Sequence, residues 1–173
     1  MRQQELEKAA AYWEDRIDAT KAMEPETLLS EMEQFIRSHN TCALATAADD
    51  FVRCTPIEYR YEEKCFWMLS EGGLKFRALA GNNNVCIAIY DPYKGFGSVA
   101  GMQITGRAEL VDADTDTFCR ALGYWKISTQ ALAKQKLSLH LIRIVPRRID
   151  FLNAAFSKRG LDARQYLEFT DDK

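Results

Sequence analysis

Met102-Gln103-Ile104-Thr105-Gly106-Arg107-Ala108-Glu109-Leu110 alternates between apolar or small residues and polar ones without a break. In an extended chain successive side chains point to opposite faces, so Met102, Ile104, Gly106, Ala108 and Leu110 share one face. Gln103, Thr105, Arg107 and Glu109 share the other. One side belongs to a core, and the other is wet or covered by a partner. Residues 85–90 form a second, fully apolar strand, joined to this one by a loop at 91–98 whose glycines and proline break any periodicity.

Further upstream, residues 41–46, 51–61 and 65–69 are β-prone. Turn-like Ala48-Asp49-Asp50 and Glu62-Glu63-Lys64 separate them, which makes an antiparallel meander. Ser70-Glu71-Gly72-Gly73 then feeds a short helical piece at 74–80, and Gly81-Asn82-Asn83-Asn84 ends it. Downstream, residues 112–135 read as helical, with Gly123 the weak point. A last strand at 137–151 contains Pro146, which implies an edge or a bulge. Ahead of the strands, Leu6, Ala9, Ala10, Trp13 and Ile17 recur at helical spacing over 3–22. Pro25 suits the first turn of a second helix carrying Leu28, Leu29, Met32, Phe35 and Ile36 on one stripe. Residues 153–173 read as a packed tail that frays at Asp171-Asp172-Lys173. The expectation is a mainly β protein with α: one domain over 1–173, a six-stranded antiparallel barrel with flanking helices and an N-terminal helical segment at about 3–38.

The 173 residues are 47% hydrophobic and 28% charged, enough apolar material for one core. Twenty-three Lys and Arg against 25 Asp and Glu leave a net charge of −2, which disfavours a nucleic-acid partner. The longest apolar run, 85–90, is far short of the roughly 20 residues a membrane helix needs, and Met1-Arg2-Gln3-Gln4-Glu5 lacks the apolar segment of a signal peptide. A cytoplasmic protein with no membrane partner is expected. Cysteines at 42, 54, 65, 86 and 119 form no C-x-x-C pair and read as small buried hydrophobes in a reducing compartment. His39 and His140 are the only histidines, and no metal site is expected from them.

Gly95-Phe96-Gly97-Ser98-Val99-Ala100-Gly101 satisfies neither the dinucleotide fingerprint, whose third glycine would fall one residue earlier, nor the flanking glycines of a nucleophile elbow. More informative is Ser70-Glu71-Gly72-Gly73-Leu74-Lys75-Phe76-Arg77, where a hydroxyl, two glycines and two cations meet at a strand-to-helix turn. Backbone N–H groups and cations there suit a phosphate. On the preceding strand Arg53, Thr55, Ile57, Tyr59 and Tyr61 fall on one side, with the two tyrosines read as core or interface aromatics.

Taken in order, Ala43-Leu44-Ala45-Thr46, Arg53-Cys54-Thr55-Pro56-Ile57, residues 67–76, residues 82–85 and Gln103-Ile104-Thr105-Gly106-Arg107-Ala108-Glu109 resemble the pyridoxamine 5'-phosphate oxidase-like, FMN-binding split-barrel proteins. The resemblance covers about 28–151. It implies a split-barrel homodimer with FMN between the subunits. Arg53, Thr55 and Pro56 would line the flavin, Ser70 and Lys75 would hold its phosphate, and Gln103 would approach the isoalloxazine from the partner subunit. The basic residues and tail by which true pyridoxamine phosphate oxidases bind substrate are missing, so the resemblance implies an FMN-dependent oxidoreductase acting on some other small molecule. No catalytic acid or base is assigned, because the flavin itself carries the electron transfer. The alternative is a haem-binding or haem-degrading split barrel, with His140 or His39 as the imidazole ligand.

Overall fold

A computed structural model describes residues 2–16, 18–135 and 138–169, with helices and strands placed as follows. α1 spans Gln3–Ala10 and α2 Pro25–Ser38; β1 is Thr41–Ala48, β2 Phe51–Glu58, β3 Arg60–Glu62 and β4 Cys65–Ser70. α3, Lys75–Leu79, precedes β5, Asn84–Tyr90, and β6, Ala100–Val111. α4, Asp116–Leu122, and α5, Thr129–Gln135, lead into β7, His140–Asn153, and β8 is Arg164–Glu168.

The strands form one antiparallel sheet of eight, ordered β2-β1-β5-β6-β7-β4-β3 with β8 also on β7. β2 and β3 are consecutive in the chain yet lie at opposite ends of that order, so the sheet curls round and the corner at Tyr59 joins its margins. This is the expected barrel with more than the expected six strands. Two residues' worth of physics explains the difference. The stretch at 51–61 divides at Tyr59, whose N–H makes the last bond along β1, to the Asn40 carbonyl at 2.9 Å, before the chain passes to β4 as β3. The tail at 164–168 becomes a strand because β4 covers β7 only along 140–144, leaving the edge at 148–152 open for β8 to pair.

Pro146 sits at a bulge in the middle of the sheet. β6 and β7 change register between Thr105 and Gly106, with Arg147 the extra residue. A Cβ on Gly106 would stand 2.5 Å from the Val145 carbonyl oxygen, so only glycine lets the two backbones approach there.

α2 forms as its sequence requires. Pro25 occupies the first turn, the Glu24 carboxylate accepts from the N–H of Glu26 at 2.9 Å, and Leu28, Met32 and Ile36 are buried. These join Leu44, Phe66, Ile87, Ile104, Ile144 and Phe151 in the main core. Tyr59 and Tyr61 are buried with them. The Tyr59 hydroxyl donates to the Ile36 carbonyl at 2.6 Å and the Tyr61 hydroxyl to Glu33, and burial raises both phenol pKa values. A second apolar cluster on the other side of β4 packs Trp67 and Leu141 under Phe118 and Leu122 of α4.

Two helical expectations are corrected. The segment at 3–22 is helical only through Ala10, followed by two single turns at Glu14–Arg16 and Ala19–Lys21; α1 buries no residue, so nothing extends it, and Ile17 lies outside the described residues. The stretch at 112–135 divides into α4 and α5, because the chain tightens at Gly123 and turns left-handed at Lys126. The fraying expected at 171–173, like Leu137, lies outside the described residues. Of the five cysteines only Cys42 and Cys65 are buried, whereas Cys54 and Cys119 are exposed; all five are free thiols.

Candidate functional site

β4 ends at Ser70, and the turn that follows folds on itself. The Ser70 hydroxyl donates to the Gly72 carbonyl at 2.9 Å and accepts the Gly72 N–H at 3.2 Å. Gly72 and Gly73 have φ of +135° and +108°, values that L side chains rarely adopt. From the first residue of α3, the Lys75 ammonium reaches back and donates to the same Gly72 carbonyl at 2.5 Å. Lys75 is only 6% exposed. No ion pair among the described residues includes it. Burial lowers its pKa, the signature of a cation taken from water without a counter-charge. The anion attraction read from the helix start is therefore reassigned. α3 has five residues and no side-chain cap, too few aligned peptides for a useful dipole, and the field at the turn comes from Lys75.

Arg53 and Thr55 lie opposite Thr46 and Leu44 across the β1–β2 ladder, so they face the same side as those residues. α3 packs on β1 and β2. Its Arg77 guanidinium stacks 4.6 Å from the ring of Phe51, which alternation places on the face of Arg53. The Ser70–Lys75 turn thus opens onto the barrel end that carries Arg53 and Thr55. Arg53 is exposed, and its guanidinium has no hydrogen-bond or ion-pair partner among the described residues. Thr46, part of the first resembling motif but given no site role from sequence, is 2% exposed and its Oγ1 has no partner among the described residues. A buried hydroxyl without a partner and a buried ammonium without an anion both suit a phosphate-bearing ligand.

Pro56 and Gln103 fall elsewhere. Both lie on the outer face of the sheet, on one rung that runs Pro56, Ala43, Ala88, Gln103, Asp150 and Tyr166 across six strands. Gln103 is opposite Asp150 while Ser70 is opposite His140, so the two lie at opposite ends of β7. Within one chain the structure therefore brings Arg53, Thr55, Ser70 and Lys75 to one end and leaves Pro56 and Gln103 apart. Around Gln103 the N-terminal segment roofs a hollow of about 520 Å³ whose floor is Gln103 and Thr105 and whose walls include Trp13 and Tyr166. Arg148 there is held by a two-pronged bond to Asp150 at 2.8 and 3.0 Å and by Glu168 at 3.2 Å, which keeps its pKa raised.

The histidines divide. His39 has both ring nitrogens engaged, Nε2 with the Asp91 carboxylate at 3.0 Å and Nδ1 with the Phe35 carbonyl at 2.9 Å. His140 is exposed, packs on Phe76 with ring centres 5.0 Å apart, and stands beside the turn. Sequence reading could not associate His140 with the turn, because their proximity depends on β4 and β7 pairing 70 residues apart in sequence.

A curled antiparallel barrel with a two-glycine turn at one end and a mixed rung of small and polar residues on its outer face is the architecture of split-barrel proteins. The chain belongs to the pyridoxamine 5'-phosphate oxidase family, whose sequence profile matches residues 28–153. Solved structures agree on the fold. An FAD-binding protein from Mesorhizobium loti is 17% identical, with a TM-score of 0.58 over 70% of this chain and 89% of its own. A pyridoxamine 5'-phosphate oxidase homologue from Listeria innocua is 20% identical, with a TM-score of 0.55 over 73% and 98%. The haem storage protein HutZ from Vibrio cholerae is 20% identical, with a TM-score of 0.56 over 72% and 91%. At these identities the likeness is one of fold. No curated protein sequence matches the chain. Among the described residues no helix is long and apolar enough to cross a membrane.

Proposed function

We propose that the protein is an FMN-binding flavoprotein, an oxidoreductase acting on a small molecule as a homodimer in the cytoplasm. The observation that carries this reading is the buried Lys75 ammonium, which has no anionic partner, at a two-glycine turn beside Ser70. Bound FMN would supply the hydride or electron transfer. Lys75 and Ser70 would hold the phosphate, exchanging their bonds to the neutral Gly72 carbonyl for bonds to an anion, with Arg53 and Thr55 lining the ligand from β2. Gln103 sits at the far end of β7 from this turn, so its approach to the same flavin requires the second subunit.

The outer rung favours that arrangement. Ala43, Ala45, Cys86 and Ala88 are small and only partly exposed, and they leave a flat surface flanked by exposed Val52 and Tyr90. Such a patch suits a two-fold contact between copies.

Absorbance after separate addition of FMN and haemin tests the assignment, since a flavin spectrum and a Soret band cannot be confused. The haem alternative draws support from the likeness to HutZ and from the exposure of His140. A Soret band with no flavin uptake would replace the flavin reading with it.

A further inference from the structure

Behind the phosphate turn lies a second hollow, of about 480 Å³, lined by Gly72, Gly73, Phe76, Leu110, Asp112 and His140. That volume falls in the usual range for ligand pockets, about 300–1,000 Å³. Gly73, in its wall, stands beside the Lys75 ammonium: a Cβ there would meet Lys75 Nζ at 3.5 Å, and one at Gly72 would meet nothing within 4 Å.

Its wall has the chemistry of a nucleoside site. Phe76 and His140 make a tilted aromatic pair, with planes at 55°, on which a base can stack. Leu110 is 53% exposed at the rim and adds apolar surface. The Asp112 carboxylate is the one acid of the lining and accepts from hydroxyls or an amino group, the role an acidic residue plays toward ribose in other nucleotide sites. Among the described residues the lining holds no lysine or arginine. Lys75 lies across Gly73, with its Nζ 3.5 Å from where a Cβ on that glycine would stand. These residues suit a ligand that carries its charge at the turn and a neutral, flat, hydroxyl-bearing group beyond it.

We infer that the hollow takes the adenosine end of a dinucleotide flavin, with the flavin mononucleotide portion placed as proposed above and the pyrophosphate at the Ser70–Lys75 turn. The inference rests on the flavin assignment and extends it: the chain holds FAD more tightly than FMN.

The full-length protein is titrated with riboflavin, FMN and FAD, following flavin fluorescence. FAD is expected to bind about tenfold or more tightly than FMN. His140→Ala, an exposed position, should reduce FAD affinity several-fold and leave FMN affinity unchanged, and Asp112→Asn should act in the same direction. His140→Phe, which keeps a flat ring, should retain the FAD preference. Equal affinity of the parent for FAD and FMN overturns the inference and leaves the FMN assignment standing. Binding of none of the three flavins overturns both. An FAD preference that His140→Ala and Asp112→Asn leave intact also overturns it, because the adenosine would then lie elsewhere.

Discussion

The Lys75 ammonium and the Gly72 carbonyl are hydrogen-bonded at 2.5 Å, and no ion pair among the described residues includes that ammonium. A lysine so placed is held in a conformation a ligand can take over. The carbonyl occupies the position an anion would fill, and an anionic acceptor adds charge–charge attraction to a bond whose donor is already charged.

Lys75→Ala is expected to weaken FMN by about 1.5–3 kcal/mol, roughly tenfold to a hundredfold, and to leave riboflavin nearly unaffected. Parallel titrations of both flavins into parent and variant check this. Equal FMN affinity in the two proteins would remove the turn from the site.

The same residue carries a stability effect of opposite sign. Burial lowers the folded-state pKa of Lys75 below that of the unfolded chain. Between those two values the unfolded state binds the extra proton, so the contribution of Lys75 to the stability of the ligand-free protein should rise as pH climbs through that alkaline window, against the opposite contribution of the buried Cys42 thiol. Lys75→Met, which buries no charge, should raise Tm at neutral pH and flatten this rise. Thermal melts of both proteins from pH 7 to about 10 measure it, and a parent profile that falls over this window in step with the variant's contradicts the assignment of Lys75 as an uncompensated buried cation.

Gly106→Ala should destabilise the fold by about 1–3 kcal/mol, because the new methyl meets the Val145 carbonyl on a strand in the middle of the sheet. Urea midpoints report the loss, and the flavin spectrum of the remaining folded fraction should not change.

Ala88→Asp places a carboxylate at the centre of the outer rung, two strands from Pro56 and next to Gln103. Light scattering is expected to show a dimer for the parent and a monomer for the variant, with FMN affinity falling alongside. A parent that is monomeric at micromolar concentration would sink the shared site.

Thiol reactivity offers an independent view of the same face. Burial pushes the Cys42 pKa up to about 12, so it should stay inert in the native protein while exposed Cys119 reacts. Cys54 is exposed in the single chain and lies on the outer face, so it should react slowly in the parent and quickly in Ala88→Asp.

Local pattern carried much of the fold. The alternation at 102–110, the apolar run at 85–90, Pro25 and the stripe after it, and the turns at 48–50 and 62–64 each depend on neighbours within a few residues, and each element stands where that pattern puts it. The turn at 70–75 is local in the same way, since Ser70, Gly72 and Lys75 lie within six residues and bond to one another.

What tertiary structure alone decided is everything that depends on an edge or a face. β8 forms because β4 is too short to cover β7, a fact about two strands 70 residues apart. α1 stops at Ala10 because no apolar surface meets it, and nothing within the segment states that. Likewise Pro56 is a neighbour of Thr55 in sequence but lies across the sheet from it, and Gln103 shares its rung only through the registers of β1, β5 and β6. Side-chain alternation is written in the sequence, whereas which face becomes core, and which residues from distant strands share it, follows from hydrogen-bond register and burial that only the assembled sheet defines.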